Sequence, residues 1–274
     1  MKLTIAKKLS LVIATLSALT SILVGGLSVK FAQDGLVAQV DDTIVGLTEI
    51  RADALQSYLD GIGDDVIAFS DMTMVLDALT RFSGAFKQIA LEEDPLRSLQ
   101  DTYIHGNPHP VGEKHKLSDT GQPTPYAQAH KDFHPNFLSL QSTRGYYDIF
   151  LIDADGNIVY SVFKELDFAT NLTSGQYSDS DLGRVFRAAV ADASGGTHTS
   201  DFRPYAPSSG APASFVARRV VDQTGNLLGV LAFQMPFDAV SAIMQQRSGL
   251  GETGETFLLS RDFTLQSDLS LIHI

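Results

Sequence analysis

The sequence predicts an α+β protein in which one membrane-spanning helix and further long helices precede an antiparallel sheet. Three observations support this fold class: an apolar run over residues 9–29, an apolar stripe of helical period over 37–69, and β-rich runs joined by tight turns. A helical pattern follows each pair of β-rich runs, which gives the order hairpin, helix, hairpin, helix. Parallel βαβ units would not join two strands through a tight turn, so the sheet is expected to be antiparallel.

Residues 9–29 contain no ionisable side chain and consist mainly of Leu, Ile, Val and Ala. A helix of about 20 such residues, rising ~1.5 Å per residue, matches the ~30 Å hydrocarbon core of a bilayer. Lysines precede the run, whereas aspartates follow it after Lys30. The positive-inside rule therefore predicts that residues 1–8 are cytoplasmic. The region after residue 29 should then lie outside the inner membrane, in the periplasm or the extracellular space.

A cleaved signal peptide is the alternative interpretation of the same run. Its apolar region would be about 7–15 residues long and would end in a small-x-small cleavage site. Lys30 occupies a position where such a site needs a small residue. Length and flanking charges both favour an anchor, through which residues 9–29 would contact the lipid bilayer.

Residues 30–100 are predicted to form a helical strut region. Apolar side chains recur every three or four residues over 37–69, with Gly61 and Gly63 as interruptions, and a further helix is expected over 72–90. Such helices either pack against a second copy of the chain or belong to an ordinary bundle. A homodimer is the expected assembly under the first alternative.

Residues 103–135 are rich in proline and glycine, which predicts a long irregular segment that is either functional or poorly ordered. Two histidine pairs lie in it at a spacing of four, His105 with His109 and His130 with His134. On a helix this spacing would suit zinc. Glycine and proline oppose a helix at the first pair, and no acidic third ligand has a suitable spacing. No metal site is therefore predicted, although metal binding by the second pair is left open.

The sheet is predicted to consist of two hairpins with a helix after each. The four expected strands, in chain order, are 149–153, 157–163, 214–221 and 227–234. Asp155-Gly156 is the turn of the first hairpin, because Asp-Gly between β-rich runs is a strong hairpin signal. A helix over 179–191, capped by Ser178, should follow the first hairpin, and another over 236–246 should follow the second.

The chain from residue 249 to 268 is interpreted as the start of a second, membrane-proximal module, because a new β-rich run begins at Thr256. Residues 249–254 fit the pattern G-x-G-x-x-G, but they follow a helix and precede a strand, the reverse of what a dinucleotide site requires. They are expected to form a hinge. Residues 269–274 are expected to be the translated adapter of a sequencing library, which would make the chain a truncated piece of a longer protein.

Composition argues against several functions. The chain has 20 basic and 32 acidic residues, and its net charge of −12 opposes nucleic-acid binding, which needs concentrated positive charge. It has no cysteine, which excludes disulfides, thiolate zinc sites and cysteine nucleophiles. The sequence contains neither a Gly-x-Ser-x-Gly motif nor another recognisable catalytic arrangement. Neither enzymatic activity nor a cofactor is therefore predicted for this part of the protein.

Aromatic residues alternate with single charges near the ends of the predicted strands, a pattern typical of a small-ligand pocket with apolar walls and a few directing polar groups. The candidate ligand-binding residues are Tyr146, Tyr147, Asp148, Tyr160, Lys164, Asp167 and Tyr205. Ordinary packing at strand ends, with surface salt bridges, is the alternative explanation of the same pattern.

Several runs resemble the extracytoplasmic Cache-type sensor regions of bacterial methyl-accepting chemotaxis proteins. The runs that carry the resemblance are 145–153 (GYYDIFLID), 162–165 (VFKE), 167–171 (DFATN), 201–208 (DFRPYAPS) and 249–255 (GLGETGE). Similar regions occur in membrane-bound adenylate or guanylate cyclases. The amino-acid recognition pattern of some double-Cache sensors includes a tryptophan, and this chain has none. The ligand class therefore stays open.

The resemblance implies a PAS-like antiparallel module over residues 101–248, with a small-molecule ligand bound in this membrane-distal module and signalling by small helix displacements through a dimer. The expected function is ligand sensing by a chemotaxis receptor. The alternatives are the sensor region of a membrane-bound cyclase or histidine kinase, or an anchored solute-binding protein.

Overall fold

The computed structural model of the protein describes residues 4–250 and 254–268. The expected adapter-derived residues 269–274 lie outside the described residues, as do three residues of the expected hinge. The two compact units of the chain are 1–53 with 247–254, and 54–246 with 255–274. The larger unit contains the sheet and every candidate ligand-binding residue.

The first helix, α1, extends over Ile5–Ser70 without a break. It is the one helix in the described part of the chain that is long and apolar enough to span a membrane, and none of its apolar window is buried. The helix expected over 37–69 is confirmed, but the interruption expected at Gly61 and Gly63 is wrong. A helical glycine costs about 0.5–1 kcal/mol relative to alanine, and burial of a side chain such as Ile62 offsets a cost of that size.

Three further helices follow before the sheet. Their bounds are α2 Thr73–Ala90, α3 Pro95–Gln100 and α4 Pro125–Arg144. The helix expected over 72–90 is thus confirmed. A single π-helical turn, Asp101–His105, continues directly from α3.

The irregular segment is shorter than expected, because α4 begins at Pro125 rather than after residue 135. Thr124 caps this helix by accepting the N–H of Ala127 at 3.1 Å, and proline fits the first helical position, where its missing N–H is not needed. Pro135 lies within the helix, which continues past it. The irregular part is therefore residues 106–124, here called the 106–124 segment, which contains one short 3-10 helix, Lys114–Lys116.

Six strands form one antiparallel sheet. Their bounds are β1 Asp148–Asp153, β2 Ile158–Ser161, β3 His198–Thr199, β4 Arg203–Pro204, β5 Pro212–Val221 and β6 Leu227–Met235. The order is β2-β1-β6-β5-β3, and β4 also pairs with β5. Both predicted hairpins are confirmed, as is the antiparallel α+β class.

Helix α5 extends over Asp181–Ala191, and α6 extends over Phe237–Met244. The expected cap at Ser178 is wrong. Ser180 is the cap, because its hydroxyl accepts the N–H of Gly183 at 3.1 Å. A turn precedes it, closed by the N–H of Ser180 on the carbonyl of Tyr177, and this turn delays the helix by two residues relative to the prediction.

The two faces of the sheet have separate hydrophobic cores. On the helix face, side chains such as Ile149, Leu231 and Phe233 pack with α1, α2 and α4. On the α5 face, side chains such as Phe150 and Phe215 pack with α5. The first residue of β1 and the residue opposite it in β6 lie at one end of this sheet, where the polar site described below is found.

Residues 255–268 belong to the larger unit. They make a short antiparallel bridge between Leu259 and Leu265, and Gln266 accepts the N–H of Phe202 at 2.6 Å. The assignment of residues 249–268 to a second module stays a prediction.

Candidate ligand-binding site

Asp148 is the first residue of β1 and lies directly opposite Gln234 of β6, and both side chains are buried. Its Oδ1 accepts three backbone N–H groups, from Ile149, Val162 and Phe163, at 2.7, 2.8 and 3.1 Å. These bonds hold the chain that leaves β2 against the start of β1. Within the described residues, the other oxygen, Oδ2, has no hydrogen-bond partner.

Asp167 lies in the loop that follows β2 and is fully buried. The hydroxyl of Tyr205 donates to its Oδ2 at 2.6 Å. Tyr205 packs edge-on against Phe215 of β5, with ring centroids 5.0 Å apart, so the α5-face core fixes the position of this hydroxyl. No group of the described chain bonds to Oδ1 of Asp167.

Glu165 joins these carboxylates to the end of β6. It accepts the hydroxyl of Tyr147 on Oε1 and the hydroxyl of Ser208 on Oε2, each at 2.7 Å. The Ser208 oxygen in turn accepts Nε2 of Gln234 at 3.2 Å. The amide oxygen of Gln234 is buried and lacks a donor among the residues that the structure describes. We call Asp148, Glu165 and Asp167 the acidic cluster.

The acidic cluster is electrostatically unfavourable as it stands. Burial, followed by the charges of Asp167 and Glu165, raises the pKa of Asp148 well above its ordinary value. Burial also raises the pKa of Asp167 to about 7, although the Tyr205 hydroxyl opposes this shift. A positive charge introduced beside these groups would stabilise their ionised forms.

A cavity of about 320 Å³ is lined by Tyr147 and Ser208, the two hydroxyl groups that donate to Glu165, whereas the three carboxylates of the acidic cluster lie behind this lining. Tyr147, Ser208, Gln234 and Asp238 provide its polar wall, while Met235 and Phe237 provide apolar surface. This volume falls within the range of about 300–1,000 Å³ that is usual for small-molecule sites, as does the combination of apolar walls with a few polar groups.

The structure brings four of the seven candidate residues together here: Tyr147, Asp148, Asp167 and Tyr205. It places Tyr146 elsewhere, on the helix face. The ring of Tyr146 stacks on Phe233 with centroids 4.4 Å apart, and its hydroxyl donates to Asp65 of α1.

Tyr160 also belongs to the helix face. Its ring stacks on Phe82 of α2 at 4.9 Å, and its hydroxyl is bonded to Nδ1 of His134 at 2.7 Å. Lys164 lies between the two regions. Its ammonium donates to the carbonyl of Ser161 and lies 4.3 Å from the centre of the Tyr160 ring.

Lys164 is fully buried, and burial lowers its pKa to about 7 although the negative charge of Asp148 acts in the opposite sense. Its backbone has a positive φ of 58°, which is uncommon for a residue with a side chain. The rings of Phe168 and Tyr103 also lie within 6 Å of the ammonium. Lys164 is thus held among aromatic rings and does not line the cavity of about 320 Å³.

Glu165, Ser208 and Gln234 are the site residues that the sequence did not indicate. Glu165 and Ser208 lie inside two of the runs that carry the family resemblance, but neither stands out by residue type. Gln234 offered a signal, because it is a polar side chain near the end of an otherwise apolar buried strand. Its neighbour across the sheet, Asp148, was already a candidate.

A larger cavity, of about 720 Å³, lies elsewhere in the same unit. Lys87, Asp155 and Asn157 are among its polar lining residues, and Lys87 pairs with Asp155 at 3.1 Å. Within the described residues, none of its lining side chains has a buried polar atom without a partner. This cavity therefore lacks the unmet hydrogen-bonding capacity that marks the acidic cluster.

The histidine pair at a spacing of four does lie on one face of a helix, α4. Both nitrogens of His134 are engaged, Nδ1 with the Tyr160 hydroxyl and Nε2 with the carbonyl of His115. Binding of a metal ion by His134 would require one of these bonds to break. Within 4–250 and 254–268, no group of three or more potential metal-ligating side chains comes together.

No protein-family model matches the chain, and no curated protein matches it. Among solved structures, the chain is similar to one kinase sensor domain and to two chemoreceptor domains. The chain is similar to the sensor domain of the V. cholerae histidine kinase DctB, with 18% identity and a TM-score of 0.33 over 63% of this chain and 58% of that one. The chain thus spans little more than half the length of that domain.

Two chemoreceptor domains give similar values. The ligand-binding domain of Pseudomonas fluorescens CtaA, in complex with L-serine, is 16% identical with a TM-score of 0.34, over 80% of this chain and 74% of that one. The ligand-binding domain of Campylobacter jejuni Tlp3, in complex with L-norvaline, is 11% identical with a TM-score of 0.37, over 73% and 72%. These three structures are a sensor domain of a histidine kinase and ligand-binding domains of two chemoreceptors.

Proposed function

We propose that this protein is the sensory part of a membrane-anchored receptor and that it binds a small solute with a protonated primary amine at the acidic cluster. The observation that supports the proposal is a set of three buried acceptor oxygens without donors in the described chain: Oδ2 of Asp148, Oδ1 of Asp167 and Oε1 of Gln234. An ammonium group offers three N–H donors and one positive charge. Each unmet buried polar group costs about 1–3 kcal/mol, and such a ligand would remove that cost.

The charges of the site favour a cation over an anion. The three carboxyl groups of the acidic cluster interact with one another, and Lys164 is the cation whose charge acts on Asp148. An anionic ligand would meet the same repulsion that raises the pKa of Asp148. The apolar wall, including Met235 and Phe237, suits the hydrocarbon part of an amine.

A short chain of contacts joins the site to α1. Gln234 is followed back along β6 by Phe233, whose ring contacts Phe69 of α1 edge-on at 6.2 Å and stacks on Tyr146. The hydroxyl of Tyr146 donates to Asp65 of the same helix. A ligand that favours one position of β6 would therefore favour one packing of α1, by as much as its affinity differs between the two packings.

The proposed receptor is held in the inner membrane by residues 9–29, with the larger unit in the periplasm or extracellular space and with two copies acting as a dimer. The lysines before the apolar run and the aspartates after it support this orientation. Chemotaxis is the output that we favour. A cyclase or kinase output, or an anchored solute-binding protein, would use the same site.

The test is ligand binding by the full chain in lipid nanodiscs, followed by isothermal titration calorimetry. The probes are primary amines, including α-amino acids, each paired with the analogue that has a hydroxyl in place of the amine. We expect an amine to bind while its hydroxyl analogue does not. Ionisation of Asp148 and Asp167 on binding would release protons near pH 6, so the measured heat should depend on the ionisation enthalpy of the buffer.

Asp167→Asn is the variant that decides the role of the cluster, because it keeps the acceptor for Tyr205 and removes the charge. Loss of one charge-assisted contact should weaken binding roughly 10–100-fold. Asp155→Asn is the matched control, an exposed aspartate at the first hairpin turn, and should bind as wild type. Equal binding of amines and hydroxyl analogues, or unchanged binding by Asp167→Asn, would refute the proposed ligand class.

A further inference from the structure

Two histidines of α4 fasten the 106–124 segment. His130 and His134 are both buried, and their rings stack with centroids 4.4 Å apart at an angle of 19°. Nδ1 of His130 donates to the carbonyl of Ser118 at 3.2 Å, and Nε2 of His134 donates to the carbonyl of His115 at 2.6 Å. The donor roles follow because a carbonyl oxygen can only accept.

The other nitrogen of each ring carries the lone pair. Nδ1 of His134 accepts the hydroxyl of Tyr160 at 2.7 Å. Nε2 of His130 is buried and has no partner among the described residues. A proton added there would place a charge in the interior without an acceptor, and a buried unpaired charge is strongly unfavourable.

The surroundings of the pair disfavour a positive charge from every side. The titratable and charged groups that face it are Lys164 after β2, Tyr160 of β2, Tyr103 of the π-helical turn, and His115 of the 106–124 segment. Within the described part of the chain, no carboxylate forms an ion pair with either imidazole, whereas His105 and His198 each have one. Burial, followed by the charge of Lys164, lowers the pKa of His134 to about 3 and that of His130 well below its ordinary value.

We propose that His130 and His134 form a proton-operated clamp: acidification releases the 106–124 segment from α4, which gives the receptor a second input, the pH of its surroundings. The proposal is independent of the amine site, because the clamp lies on the helix face and none of its hydrogen bonds involves the acidic cluster.

The sign follows from the number of protons bound in each state. In the docked state both imidazoles are held neutral, whereas in the released state they contact water and regain a pKa of about 6.5. The released state therefore binds more protons below pH 6.5, so the docked state is fully favoured above that value and is lost as the pH falls. From pH 7.5 to 5.5 the equilibrium shifts towards release about 10-fold for one histidine and about 100-fold for both.

The test is hydrogen–deuterium exchange of the full chain in lipid nanodiscs at pH 7.5 and 5.5, corrected for the pH dependence of chemical exchange. We expect the protection of peptides from the 106–124 segment to fall about 10- to 100-fold at pH 5.5. Peptides from β5 and β6 should keep their protection. An unchanged segment in the wild-type protein would overturn the proposal.

The double variant His130→Asn with His134→Gln removes the titration of the two α4 imidazoles and keeps a hydrogen-bond donor at each position. The asparagine amide occupies the place of Nδ1, and the glutamine amide occupies that of Nε2, so each retains a donor for its carbonyl. We expect this variant to respond to pH much less than wild type, with the remaining response coming from His115 of the segment, whose pKa burial also lowers. His109→Gln, in the segment itself, is the control and should respond as wild type. An equal response in the double variant would overturn the proposal.

A measurement on the wild-type protein covers the case in which the double variant is already released at pH 7.5. The chain has seven histidines, and NMR of ¹³Cε1-labelled imidazoles follows the protonation of each. Two of them should stay neutral until the segment opens and should then titrate with the same midpoint as the loss of protection. Independent titration of all seven near pH 6.5 would also overturn the clamp.

Discussion

The two buried polar regions of the larger unit, the acidic cluster and the histidine clamp, meet the cost of burial in opposite ways. In the acidic cluster, Asp148 and Asp167 each leave an oxygen without a donor in the described chain, and burial raises both pKa values. In the clamp, three of the four ring nitrogens are hydrogen-bonded, and burial lowers both pKa values. Burial thus favours the protonated form of the two carboxyl groups in the acidic cluster and the neutral form of the two imidazoles in the clamp.

This difference indicates what each region can do. Unmet acceptors beside a cavity can gain a ligand, whereas a nearly complete set of hydrogen bonds fastens one part of the chain to another. Lys164 lies between the regions, and its charge acts on Asp148 and on both histidines. The same buried cation therefore favours ionisation on one side and opposes it on the other.

The largest effect should come from two substitutions at Asp148 that distinguish the roles of its two carboxylate oxygens. Asp148→Ala removes an acceptor from three backbone N–H groups, of which that of Val162 keeps a second acceptor in the carbonyl of Ile149, and we expect it to lower the free energy of unfolding by about 2–4 kcal/mol. Asp148→Asn keeps one oxygen for those donors and removes a buried charge, so it should not lower the free energy of unfolding. Denaturation followed by tyrosine fluorescence measures both, because the chain has no tryptophan.

The same pair of variants separates structure from binding. Asp148→Asn should lose amine binding while it remains folded, since it removes the charge and keeps the bonds to the chain that leaves β2. If Asp148→Ala were as stable as Asp148→Asn, Oδ1 would not hold the chain that leaves β2. Oδ1 and Oδ2 of Asp148 would then not have separate structural and ligand-binding roles.

A second effect concerns the pH dependence of Asp167. Its pKa is about 7 when folded and about 3.9 when unfolded, so the folded state binds more protons between these values. Its contribution is fully present below pH 3.9 and is lost as the pH rises to 7. Relative to wild type, Asp167→Asn should therefore gain stability across this window, by up to about 4 kcal/mol.

The histidines change the free energy of unfolding in the opposite direction over an overlapping pH range. They are present in both proteins, so their contribution cancels in the difference between wild type and Asp167→Asn. Urea denaturation at pH 4, 5.5 and 7 measures the difference between the two proteins. A difference that stays constant with pH would mean that Asp167 is not held protonated by burial, and the acidic cluster would then be an ordinary solvated group of carboxylates.

Local rules predicted much of the fold. The Asp-Gly turn and the β-rich runs predicted both hairpins, and apolar periodicity predicted α1 and α2. The beginning of α4 was missed because prolines at 123, 125 and 135 indicate irregular structure, although Pro125 follows a capping Thr124 and so begins a helix. The local sequence pattern also predicted Ser178 as the cap of α5, two residues before the observed cap, Ser180.

The site was harder to predict because it depends on register. Tyr146 and Tyr147 are adjacent, yet one packs against α1 and the other bonds to Glu165. Which tyrosine joins which core depends on how the chain enters β1, and one sequence does not reveal this. Gln234 entered the site because it pairs with Asp148 across the sheet, a contact between residues far apart in the chain.

The smallest and most specific effect should come from the link between β6 and α1. Tyr146→Phe removes one hydrogen bond to Asp65, which keeps Arg144 at 3.3 Å, so stability should fall by only about 1 kcal/mol. Tyr146 does not line the cavity of about 320 Å³, so amine affinity should change by less than about threefold, which is about 0.6 kcal/mol. What should change is the protection from hydrogen exchange that a bound amine confers on residues 62–70 of α1.

That protection should be weaker in Tyr146→Phe than in wild type at equal occupancy of the site. Tyr58→Phe is the control, because it removes a tyrosine hydroxyl of α1 and leaves the hydrogen bond between Tyr146 and Asp65 in place. Unchanged ligand-induced protection in Tyr146→Phe would mean that the stacked rings of Tyr146 and Phe233 carry the coupling alone. Loss of amine affinity in the same variant would instead mean that Tyr146 belongs to the ligand site, and the separation between the two faces of the sheet would not hold.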